Sequence, residues 1–189
     1  MSAKVFRSAV LGGLVVFVWM LLSWMLFPWH RDAMHRFTDE SKVADVIKDY
    51  APESGMYVIP FAHCEMSKSC AGSKDDLERS KKMMERGPVV FAAVHVNGME
   101  RKPAVTMIVG LIINMLGAWG ITHIVTNMKA MNYQKKVAHV TLMGLIIGLL
   151  GVLPGWNWGA ITASYAFPMF CDYIIGWFFA GLVIGKLSK

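Results

Sequence analysis

Hydrophobic positions in this chain fall into four long runs, with one mixed polar stretch between the first run and the other three. Ser8 to Phe27 carries no charge and is long enough at 1.5 Å per residue to cross a hydrocarbon layer of about 30 Å. It exceeds the usual h-region of a signal peptide, and no small-x-small cleavage site precedes Pro28 and Trp29, so it reads as an uncleaved signal anchor. The other runs cover about Ala104 to Val125, Val137 to Leu153 and Pro168 to Gly185. Proline suits a first helical turn because its missing N–H would be unpaired there, so Pro168 is expected to begin the fourth span.

The polar stretch has a different rhythm. Thr38 precedes acids and then apolar residues at 43, 46, 47 and 50, which predicts a capped helix over about 39–50, ended by Pro52 and Gly55. GMYVIPFA reads as a strand, KDDLERSKKMMER as a second helix closed by Gly87 and Pro88, and VVFAAVHV as a second strand. The order strand, helix, strand suggests a βαβ-like unit covered by the 39–50 helix. The expected fold class is therefore membrane α-helical. Residues 1–28 form the anchor, 29–103 a small extracytoplasmic α/β insert, and 104–189 a three-helix transmembrane region.

Composition supports a membrane chain: 55% of residues are hydrophobic, 17% are charged, and the mean hydropathy is +0.44. The net charge of +6 would suit a nucleic-acid binder, but its distribution excludes that reading. Acids and bases balance within residues 29–102, and the excess bases sit at the ends of the apolar runs. Lys4 and Arg7 precede the first span, Lys129, Lys135 and Lys136 lie between the second and third, and Lys186 and Lys189 follow the fourth. By the positive-inside rule these segments are cytoplasmic and the insert is external, with Arg101 and Lys102 the one discordant pair. Trp24, Trp29, Trp156, Trp158, Tyr165 and Tyr173 cluster near the proposed outer boundary, where amphipathic rings settle.

Few reactive side chains stand out. Asp172 is the only acid outside the insert. With a helix start at Pro168 it lies one turn in, near headgroups and the positive helix end, where Asp172→Asn would change little. The sharper reading is an ion or partner site, shared with Asn114 near the midplane of the second span, although an interhelical hydrogen bond explains Asn114 more simply. His123 and His139 fall at similar depths on adjacent helices and could ligate a b-type haem. Cys64 and Cys70 are a disulfide candidate in an oxidising exterior. His63, Cys64, Met66 and Cys70 together could instead hold copper. Cys171 reads as an apolar residue. Gly12, Gly13, Gly110, Gly117, Gly120, Gly144, Gly148, Gly151, Gly181 and Gly185 supply faces for close helix packing, within the chain or with a partner or second copy. No phosphate-cradling loop, nucleophile elbow or zinc-protease motif occurs, so an enzyme is not expected, and no cofactor is assigned.

PWH at 28–30, FTDE at 37–40, SGMYVIP at 54–60, WNW at 156–158 and DYIIGW at 172–177 together resemble a family of small uncharacterised bacterial inner-membrane proteins with four spans and one extracytoplasmic insert. The resemblance implies the same topology and a bacterial inner-membrane location. It carries over no catalytic residues, and HCEMSKSC lies outside it. The expectation is a non-enzymatic accessory or scaffold subunit in the lipid bilayer. The alternatives are a transporter using Asp172, an external copper-handling protein and a haem protein.

Overall fold

The computed structural model describes residues 3–61, 74–128 and 131–188. They form two compact units, one of residues 1–35 and 101–189 and the other of residues 36–100. The first unit contains four helices long and apolar enough to cross a membrane, which marks a multi-pass membrane protein. These are α1 (Ala3–Leu26), α5 (Pro103–Asn127), α6 (Tyr133–Gly151) and α8 (Ala163–Leu187). Two short helices join them at one end, α2 (Trp29–Asp32) after α1 and α7 (Leu153–Trp158) after α6.

Small residues set the packing. A Cβ on Gly13 would lie 2.6 Å from the Met115 backbone, so α1 and α5 approach to backbone contact there. Gly12 receives Ile184, and Gly176 receives Trp19, which fixes α1 against α8. Gly144 and Gly148 receive Trp177 and Phe170, while Gly181 and Gly185 of α8 lie against Val137 and Tyr133 of α6. Along each contact, rising numbers on one helix meet falling numbers on its neighbour, so the pairs are antiparallel. The principal contacts give a spatial order α5, α1, α8, α6. Val16, Ala118, Ile121, Val125, Val140, Trp177, Ala180 and Ile184, from all four helices, form the core. The Gly-rich faces are thus largely used within the chain, whereas Gly120 and Gly151 meet nothing within 4 Å.

Helix α8 departs from expectation. It starts at Ala163 with Pro168 inside it. Proline removes one N–H and leaves the Ser164 carbonyl without its usual partner, a defect that spanning helices tolerate when neighbours and side chains compensate. Asp172 consequently sits about 13 Å along the helix, about two and a half turns rather than one.

The second unit contains α3 (Glu40–Tyr50), β1 (Gly55–Ile59), α4 (Lys74–Arg86) and β2 (Val90–Val94). The cap of α3 is Asp39 rather than Thr38: its carboxylate accepts the Lys42 N–H at 3.1 Å. That bond, with further ones from the Ser41 hydroxyl and the Lys42 side chain, holds the Asp39 carboxyl below its ordinary range. The strands pair antiparallel, Gly55 opposite Val94 and Ile59 opposite Val90, which corrects the βαβ-like expectation. A parallel crossover is stable where helices cover both faces of a larger sheet; two five-residue strands lack that cover, and the antiparallel ladder is stronger per residue. Ile59 and Val90 therefore lie opposite each other at one end of the ladder. Nor does α3 cover the sheet, since Val46, Ile47 and Tyr50 remain exposed.

Candidate functional site

Asp172 is fully buried, at 0% exposure, in a polar cluster built by α1, α2 and α8. Trp19 and Ser23 are four residues apart and share one face of α1. Pro28 disfavours helical conformation in the residue before it, and α1 ends at Leu26. The chain then makes the single turn α2, closed by the Asp32 N–H on the Pro28 carbonyl at 2.8 Å. This turn returns His30, also 0% exposed, to the end of α1 beside Ser23.

Three donors converge on the carboxylate. The Trp19 indole N–H reaches Oδ1 at 3.2 Å. The Ser23 hydroxyl, 2.6 Å from Oδ1 and 2.8 Å from Oδ2, gives its one proton to the same group. His30 Nε2 stands 2.7 Å from Oδ2 and, in the tautomer protonated at that nitrogen, donates to it. A second layer orients these donors. The Trp29 indole N–H donates to Ser23 Oγ at 3.0 Å. The Trp24 ring lies parallel to the His30 imidazole at 4.2 Å, and Trp29 meets the same imidazole edge-on at 6.3 Å. Phe27 stacks on Trp29 at 4.6 Å.

Because each carboxylate oxygen has a charge-assisted or hydroxyl donor, the acid is accommodated away from water. One atom is left over. His30 Nδ1 is buried and has no hydrogen-bond partner among the described residues. The arrangement does not match a hydrolytic triad: Ser23 and His30 both address Asp172, and the histidine offers Nε2 rather than Nδ1 to the acid.

The other candidates are placed differently. The Asn114 side-chain N–H donates to the Gly110 carbonyl of its own helix at 2.8 Å, so the bond is intrahelical, not interhelical. His123 Nε2 pairs with the Asn127 amide at 3.0 Å and stacks with Trp119. His139 Nδ1 donates to the Lys135 carbonyl at 2.6 Å. Both histidines thus bond within their own helices. His63, Cys64, Met66 and Cys70, the disulfide and copper candidates, lie outside the described residues. Cys171 is a free, exposed thiol on α8. Among the described residues no group of three or more His, Cys, Asp or Glu is placed to hold a metal ion.

Sequence reasoning singled out Asp172 but missed His30, Ser23, Trp19, Trp24 and Trp29 as its surroundings. The available signal was the Trp19/Ser23 spacing on one helical face and a histidine two residues after Pro28. Comparisons with protein-family models, curated proteins and solved structures found no match.

Proposed function

We propose that the protein is a bacterial inner-membrane protein with both termini cytoplasmic and residues 29–103 external, acting as a non-enzymatic accessory or scaffold subunit. The observation that carries this reading is the enclosed Asp172 carboxylate, whose oxygens are taken by Trp19, Ser23 and His30 of the same chain. Such a carboxylate acts as a clamp: it ties the end of α1 and the α2 turn to α8, and holds the chain at the point where the insert departs. The insert offers a surface to a partner, since Met56, Phe61, Met84 and Phe91 are all about half exposed or more.

A second reading, a proton or cation pathway through Asp172, has one observation in its favour, the unpartnered His30 Nδ1. Reconstitution of the full chain into liposomes with an internal pH dye separates the two. The scaffold reading expects no proton or cation flux above protein-free liposomes. It also expects co-purification of a stoichiometric partner chain, or a defined homo-oligomer, in mild detergent. Flux that Asp172→Asn abolishes at unchanged protein level and melting behaviour would replace it with the transporter reading.

A further inference from the structure

From the Tyr133 end of α6 up to the level of Ile174, two residues from Asp172, α6 and α8 leave an open groove of about 640 Å³ between them. Gln134, Ala138 and Leu142 line one wall and Ile174, Phe178 and Leu182 the other, and almost all of the surface is apolar. From Gln134 to Leu145 the groove follows α6 for roughly 16 Å, about half of a hydrocarbon core near 30 Å and hence one leaflet. Two hydrogen bonds tie α6 to the end of α8: the Tyr133 hydroxyl donates to the Leu182 carbonyl at 3.4 Å, and Lys136 Nζ donates to the Ser188 carbonyl at 2.6 Å.

Two further lysines flank the mouth. Lys135 is three residues before Ala138 and seven before Leu142, and Lys186 is four after Leu182, so each continues the helical face that lines the groove. Both are exposed, and neither has an ion-pair partner among the described residues. The sequence segments 1–7, 127–136 and 186–189 contain no Asp or Glu. Lys135 and Lys186 thus have no acidic side chain near them in sequence and can attract an anion, beside a slot with the length and polarity of an acyl chain.

We propose that this groove binds an anionic phospholipid, with an acyl chain along Ala138, Leu142 and Phe178 and the headgroup phosphate between Lys135 and Lys186. A zwitterionic lipid fits the same slot but gains less from the two cations. The test uses the full chain, purified in mild detergent and stripped of lipid, with melting followed by tryptophan fluorescence during titration at low salt. Three probes are compared: phosphatidylglycerol, phosphatidylcholine and inorganic phosphate.

Phosphatidylglycerol is expected to stabilise at concentrations on the order of tenfold lower than phosphatidylcholine, a preference that shrinks as salt rises, and phosphate alone should do nothing. The double variant K135Q/K186Q, on exposed positions, should make the two lipids equivalent. Ala138→Phe, which fills the slot, should weaken both. Equal affinity for the two lipids in the unmodified chain, a preference that survives K135Q/K186Q, or stabilisation by phosphate alone would each overturn the proposal. If Ala138→Phe does not fold, the lysine variant still decides.

Discussion

A carboxylate within an apolar helix bundle is stable only while donors surround it, and Asp172 shows how few residues that takes. Removing the acceptor that Trp19, Ser23 and His30 share leaves buried donors unsatisfied, at about 1–3 kcal/mol for each group so left. Asp172→Asn, nearly silent under the one-turn expectation, should therefore lower the melting temperature clearly, by roughly 2–4 °C for each kcal/mol in a chain of this size. His30→Gln keeps an N–H donor and should lose less than His30→Leu, which keeps none. Melting curves in detergent read all three, and an Asp172→Asn protein as stable as the unmodified chain would refute the clamp. Asp172 was legible as the single misplaced letter in an apolar run. Its partners were not, because Ser23 and His30 are seven residues apart in sequence and meet only through the turn at Trp29–Asp32.

Between elements, the deciding contacts are backbone approaches that glycine permits. A Cβ on Gly144 would stand 2.5 Å from the Trp177 Cβ and 2.7 Å from the Tyr173 carbonyl oxygen, so Gly144→Ala forces α6 and α8 apart. Overpacking of this kind costs about 1–3 kcal/mol. Gly151→Ala, on the same helix with nothing within 4 Å, should be neutral. Comparing the melting points of the two variants checks the α6/α8 register, and equal effects would contradict it. The four long apolar helices, α3 and α4 were readable from sequence pattern, α4 over its expected range of 74–86 in full, whereas the short helices α2 and α7 were not. Strand direction was not readable, because the order strand, helix, strand is compatible with either pairing. The start of α8 was misread because proline is favoured at a first turn yet tolerated deeper in a spanning helix.

At the scale of the whole molecule, the antiparallel packing gathers Lys4, Arg7, Lys135, Lys136 and Lys186 at one end, and Trp24, Trp29, Trp156, Trp158 and Tyr165 toward the other. Both groupings agree with the proposed orientation. A reporter fused after Lys189 or inserted near Lys135 should behave as cytoplasmic and one near Ser73 as external, and reversed labelling at either kind of position would overturn it. The number of spans, their approximate limits and the asymmetry of basic loops were determined by the sequence alone. Length, hydropathy and charge act locally on each segment whatever its neighbours do. Which glycines would pack inside the chain, which way two short strands would pair, and that His30, Ser23 and Trp19 would enclose Asp172 were decided only by tertiary structure. These depend on the relative rotation and depth of helices distant in sequence, a geometry set by mutual packing rather than by any one segment's composition.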